Sequence, residues 1–371
     1  MQLSYWERKS WFSNIDFTII GSGIVGLNCA LELRRKHPKS RILILEKGKL
    51  PQGASTKNAG FACFGSISEI LSDLKTHSEQ EVVQLVQDRF NGIQTLRKLL
   101  GDGTIGFENN GGHELFLEKD KALYGHCLEK VKTINVLLHS VFKNDAFKIV
   151  PNDFGFKGIN KNYISQVFEG QIDTGKMMIS LMQLAQRKGI MILNATEVNA
   201  YDDLLEKVVI RTNELDFATK KLLIATNGFA SQLVSENVKP ARAQVLITKP
   251  IKDLHIKGTF HLDEGYYYFR NIDNRILLGG GRNLDFKTEE TTKLGTTDLV
   301  ENKLRELLKS VILPNTDFEI DYSWSGIMGV GQQKKPILKQ ISGNVSCGVR
   351  LGGMGIAIGS TIGKKLANLT D

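Results

Sequence analysis

Gly21-Ser22-Gly23-Ile24-Val25-Gly26 stands between a short apolar run, Phe17-Thr18-Ile19-Ile20, and a segment of helical spacing from Ile24 to Lys36. The three glycines suit three needs. Gly21 permits a tight turn, Gly23 lets the backbone approach a pyrophosphate, and Gly26 allows the helix to pack closely on the strand. A helix start at this point adds N–H groups and a positive dipole end for phosphates. Glu46 ends a second apolar run, Arg41-Ile42-Leu43-Ile44-Leu45. A carboxylate there accepts hydrogen bonds from ribose hydroxyls and repels a 2′-phosphate. Strand, turn, helix and strand within about 30 residues form a βαβ unit whose chemistry is dinucleotide binding.

Two further glycine-rich segments could serve the same ligand. Gly53-Ala54-Ser55-Thr56-Lys57-Asn58-Ala59-Gly60 follows the βαβ unit directly, and Arg350-Leu351-Gly352-Gly353-Met354-Gly355-Ile356 opens the last helix. Taken alone, the first also reads as a polar loop and the second as a packing turn. Tyr266, Tyr268 and Arg270 fall at i, i+2 and i+4 of one expected strand, hence on one face. That face reads either as a substrate wall with Arg270 as an anion partner, or as aromatics packed in a core. Arg242 reads as half of a structural ion pair, and Cys63 as a buried inert thiol.

The elements around these residues predict an α/β fold. Parallel-type pieces lie at 16–46, at 190–228 and near the C-terminus, and strand-rich sequence runs from Arg242 to Phe286. This pattern predicts a Rossmann-like binding domain assembled from residues 12–100, 172–237 and 320–371. An inserted α+β substrate domain would occupy 101–171 and 238–319. Helical periodicity marks Ile70 to Leu100, Lys121 to Phe142 and Met177 to Lys188.

Composition narrows the class. The chain has 371 residues, 41% hydrophobic and 24% charged, which excludes disorder, collagen and coiled coil. Glycine is in excess at 36 residues while proline stays at 7, so the excess points to turns and close backbone approaches. Four cysteines without a CxxC pair argue against a metal site or disulfide framework. With no apolar leader at the start and no run of about 18 apolar residues, a cytoplasmic protein is expected. The net charge of +8 allows an anionic partner. No RNA-binding motif accompanies it, which argues against nucleic acid, while peripheral membrane contact stays open.

Together, the three glycine segments resemble those of FAD-dependent oxidoreductases of the D-amino-acid oxidase, glycine oxidase and sarcosine oxidase family. Gly53-Ala54-Ser55 and Asn58-Ala59-Gly60 match its "GAS…NAG" segment. Ala225-Thr226-Asn227-Gly228 is similar to its "ATGA" strand end, Trp324-Ser325-Gly326-Ile327 to its "WAGLRP" segment, and Val198 to its backbone position against adenine. The resemblance implies FAD held by Gly21 to Gly26, Glu46 and Lys47, Ala54, Ser55, Thr56, Asn58 to Gly60, Val198, Thr226 to Gly228, Gly326, Ile327, Arg350 and Gly352 to Ile356. The expected reaction is hydride transfer to flavin from a C–N bond of an amine or amino-acid derivative. It names no firm catalytic acid or base. The substrate would meet Tyr266, Tyr268, Arg270 and Met328, and oxygen or a carrier would take the electrons.

Three departures from the family pattern bear on chemistry. Met328 stands where relatives carry a carboxylate-clamping arginine. Ile276-Leu277-Leu278 lacks the lysine used for oxygen activation, and no cysteine closely follows Trp324, so FAD is expected to be non-covalent. A flavin dehydrogenase of a hydroxy acid or polyol phosphate, passing electrons to a quinone or carrier, is the first alternative. A flavoprotein domain acting on or binding tRNA is the second.

Overall fold

The structure is a computed structural model and describes residues 2–370. Its first sheet runs in the order Ile337–Gln340, Val345–Val349, Asp216–Ile224, Ile15–Ile20, Ile42–Leu45 and Met191–Leu193. Strand Ile15–Ile20 lies at its centre, parallel to both neighbours, with Ile20 beside Leu45 and Ile224. Both faces are covered, so the strands need no alternation: Ile42, Leu43 and Ile44 are all fully buried. The strand ends carrying Gly21, Glu46 and Ala225 therefore emerge side by side at one edge.

Helices Ile24–Lys36 and Gly355–Asn368 cover one face at close range, because small residues stand where their backbones meet. A Cβ at Gly363 would fall 2.5 Å from the Val25 carbonyl oxygen, and one at Gly359 would fall 2.6 Å from Ile24. Helix Glu79–Leu100 uses Gly92 in the same way against Ala357. Part of the glycine excess serves this packing. The periodic stretch from Ile70 onward divides into two helices, Ile67–Leu74 and Glu79–Leu100. Ser78 and Glu81 form a capping box that starts the second afresh, as Ser66 and Glu69 do for the first.

A second sheet has the order Ile320–Val330, Lys239–Thr248, Arg275–Gly280, Tyr267–Ile272, Thr259–Leu262, Gly112–Glu114, Asn162–Gln166 and Phe147–Pro151. Its core stacks Phe260 on Phe269, ring centroids 4.5 Å apart. Strand Ile320–Val330, expected with the nucleotide-binding segments, pairs with Lys239–Thr248 in this sheet from Ile320 to Val330. It carries Gly326, Ile327 and Met328 across to the first sheet. Arg242 is an ion pair: Nε and Nη2 donate to Glu289 at 2.7 and 3.0 Å, and Gln244 Nε2 donates to the same carboxylate. Among the described residues no helix is long and apolar enough to cross a membrane.

Candidate functional site

A narrow cleft opens at the carboxyl ends of the central strands, lined by Gly21, Gly23, Glu46, Lys47, Val198, Thr226 and Ile327, among others. Gly23 is the extended N-cap of helix Ile24–Lys36 and supplies no side-chain cap; instead the Ile24 N–H donates to Ser55 Oγ at 3.0 Å. A Cβ at Gly23 would fall 2.8 Å from that oxygen. Gly21 has φ +102°, and a Cβ there would lie 2.9 Å from the Ala225 carbonyl oxygen. Only glycine meets both conditions. Gly26, Ser22, Thr56 and Gly228 support the cleft from behind rather than lining it. A Cβ at Gly26 would overlap the Gly21 carbonyl oxygen, one at Gly228 would press on the Met328 carbonyl, and Thr56 Oγ1 donates to Pro51 O at 2.6 Å.

Glu46 faces the cleft but is already engaged. One carboxylate oxygen accepts from Ser22 N and Oγ at 3.1 and 2.9 Å, the other from Gly48 N at 3.0 Å and Gln52 N at 3.4 Å. It therefore orders both loops at the cleft mouth in addition to any ribose it meets.

Through Gly23, Ala54, Ser55, Ala225 and Asn227, which line both spaces, the cleft continues into a chamber of about 500 Å³. Its near end is lined by Ile24, Val25, Asn58, Ala59, Gly60, Gly326, Arg350, Gly352, Gly353, Met354, Gly355 and Ile356. Asn227, left-handed at φ +44°, accepts the Leu351 N–H at 3.1 Å and ties the two strand-end loops together. Helix Gly355–Asn368 begins at this chamber without a side-chain cap, so its first N–H groups and dipole face the space. A flavin dinucleotide fits this frame on three grounds. Two helix starts meet one continuous space, glycines leave room where a Cβ would intrude, and buried Thr226 Oγ1 in the cleft has no partner.

The far end holds Phe61, Tyr266, Tyr268 and Met328. Phe61 meets Tyr268 edge-on at 5.5 Å and His261 at 5.3 Å. Burial pushes the Tyr268 hydroxyl up to about 12. Two expectations about this wall need correction. Tyr266 precedes its strand, which starts at Tyr267, because the turn Asp263-Glu264-Gly265 has positive φ throughout and Tyr266 N donates back to Asp263 O at 2.9 Å. Arg270 is on the strand but 2% exposed and does not line the chamber: its guanidinium is packed behind Gly60, and burial pulls its pKa down to about 10.

Further groups of the chamber come from several elements far apart in the chain. His261 Nε2 lies 2.9 Å from Glu169 Oε1, both buried. Burial alone would lower its pKa, but Glu169 outweighs that and raises it to about 9. Glu69, and Arg89 from helix Glu79–Leu100, line the same space, as does Cys63, whose thiol burial pushes well up. Behind them Glu114, raised to about 7 by burial, accepts from Ser68 N at 3.0 Å and from its hydroxyl. A histidine inside an apolar strand, Thr259-Phe260-His261-Leu262, was the one local signal. Nothing in the sequence tied it to Glu169.

Comparison with known proteins agrees with this geometry. The model of the FAD dependent oxidoreductase family DAO matches residues 16–369. The chain is 21% identical over 375 residues to the probable oxidoreductase OrdL of Haemophilus influenzae, covering 95% of this chain and 82% of that protein. It is 24% identical over 309 residues to the mitochondrial L-2-hydroxyglutarate dehydrogenase of Bos taurus, covering 76% of this chain and 64% of the bovine enzyme. The crystal structure of glycine oxidase from Geobacillus kaustophilus superposes with a TM-score of 0.77 at 19% identity, covering 96% of this chain and 94% of that one. The family match spans both sheets and every glycine segment of the cleft, and the chain belongs to the FAD-dependent oxidoreductase (DAO) family.

Proposed function

We propose that the protein oxidises a C–N bond of an amine or amino-acid derivative, with FAD held non-covalently along the cleft. The observation that carries this reading is the continuity of the glycine-lined cleft with a half-aromatic chamber through Gly23, Ala54, Ser55, Ala225 and Asn227. Bound FAD supplies the hydride acceptor. The chain's own residues do the positioning. Phe61 and Tyr268 offer aromatic walls that suit an amine in either protonation state, and Glu69 and Glu264 line the same chamber and draw an ammonium group in. Met328 gives an apolar surface. The high pKa of the Cys63 thiol keeps it protonated and unreactive, which supports non-covalent FAD. Likeness of fold to a glycine oxidase supports the C–N reading.

A second reading, oxidation of a hydroxy acid, would use His261 of the buried Glu169–His261 pair as the base for the O–H proton once it is deprotonated. The pair holds His261 protonated at neutral pH, so this chemistry would need a pH near 9. The protein would be a cytoplasmic enzyme handing electrons to oxygen or a carrier. The test is an anaerobic titration of the yellow protein with matched amines and hydroxy acids. Bleaching of the flavin band by amines supports the first reading; bleaching by hydroxy acids alone replaces it with the second.

A further inference from the structure

Arg89 lies near the middle of helix Glu79–Leu100 and is 3% exposed, yet it lines the far chamber. Its Nη1 donates to the Phe64 carbonyl oxygen at 2.8 Å, its buried Nε has no acceptor, and it pairs with no carboxylate among the described residues. Three of the other cations on the chamber have partners of their own, and Lys57, which also lines it, is half-buried. Lys334 pairs with Asp73 at 2.6 Å, Arg350 donates to the carbonyls of Lys335 and Asn237, and Arg282 lies over the Phe286 ring at 4.9 Å. Glu69, which lines the same space and whose Oε2 accepts the Ser66 N–H at 3.0 Å in the helix cap, forms no ion pair with Arg89. Removing a guanidinium from water without an anion is costly, and a fixed, planar donor fork matches a carboxylate in two bonds.

Resting on the amine-oxidation reading, we propose that Arg89 is the anion subsite of this chamber and that the substrate carries a carboxylate together with its amine. Met328, on strand Ile320–Val330, offers the chamber no charge, and the cation comes from a helix on another part of the chain. Specificity for the acid therefore resides in Arg89, and a substrate shaped for a clamp at 328 is not the one this chamber takes.

The test is calorimetric titration of the FAD-loaded protein with acetate, succinate and benzoate, each against its amide. Wild-type protein is expected to bind at least one acid about tenfold more tightly than its amide, the range of a charge-assisted pair. Arg89→Gln should abolish that preference and leave amide binding unchanged, and Arg89→Lys should restore part of it. Equal binding of acids and amides by wild-type protein would overturn the proposal without recourse to a variant. So would an Arg89→Gln protein that keeps its acid preference, or one that loses FAD while its acid binding stands. Acid binding without turnover of any amine would remove the C–N reading and leave the anion subsite in place.

Discussion

The Ile24 N–H donates to Ser55 Oγ at 3.0 Å, joining the first turn of the helix after the glycine cradle to the loop that follows the second strand. The two glycine-rich segments are thus one structure, and the cradle cannot be altered without disturbing its neighbour. Gly23→Val would drive a side chain into Ser55 Oγ, 2.8 Å from where its Cβ must sit. The expected product is folded but colourless protein, read by absorbance after purification and by circular dichroism. Ser55→Ala removes a cap worth about 1 kcal/mol and should weaken FAD retention far less than Gly23→Val.

Glu46→Ala should lower both FAD affinity and thermal stability, because four donors within the chain lose their acceptor as well as any ribose. Each hydrogen bond to a charged group is worth roughly 1.5–3 kcal/mol. Melting temperatures with and without added FAD separate the two effects. If stability drops only when FAD is present, the loop-ordering role of Glu46 is wrong.

The Glu169–His261 pair predicts a pH dependence. His261 has its folded pKa raised from 6.5 to about 9, so its contribution to stability is fully present below pH 6.5 and is lost as the pH rises through 9. Glu169→Gln should flatten the stability profile between these limits. A variant with the wild-type profile would contradict the pairing. A change confined to pH below 5 would contradict it equally.

Arg242→Ala should destabilise the fold by about 3–5 kcal/mol, since it leaves Glu289 buried and unpaired. Chemical denaturation measures this directly, and a loss under about 1 kcal/mol would show the pair to be solvent-screened.

Met328→Arg should raise kcat/KM for glycine and sarcosine, which are expected to be poor substrates of the wild-type protein. A small zwitterion pays for a buried carboxylate unless a cation lies within reach of its binding pose. Arg270→Ala, by contrast, is expected to act on stability, because the guanidinium sits behind Gly60 and out of the chamber. Steady-state kinetics on both variants decide the matter, and wild-type turnover of glycine as fast as any amine would refute the reading of position 328.

What could be read from the sequence was what neighbouring residues settle among themselves. Gly21 to Gly26, Glu46 and the two apolar strands are one local unit, so their spacing alone predicts the cleft. Tyr268 and Arg270 do share a strand, but period-two alternation says nothing about how far along a face a chamber extends. Tyr266 left the strand because three positive-φ residues precede it. Arg89, His261 and Glu169 were beyond reach for a different reason. They come from a helix, a strand and a loop far apart in the chain, and each alone reads as an ordinary buried polar residue. Ile320–Val330 reads with the nucleotide-binding segments because its glycines belong to the cleft, while its hydrogen bonds belong to Lys239–Thr248.

The most direct measurement is anaerobic mixing of the purified protein, stripped of excess flavin, with a panel of amines, amino acids and hydroxy acids while the visible spectrum is followed. The expected result is a yellow protein that releases intact FAD on acid treatment and is bleached by at least one carboxylate-bearing amine but not by its hydroxy analogue, at pH 7 or at pH 9. A protein that carries no flavin, or whose flavin stays oxidised with every amine and is reduced by a hydroxy acid, would contradict it.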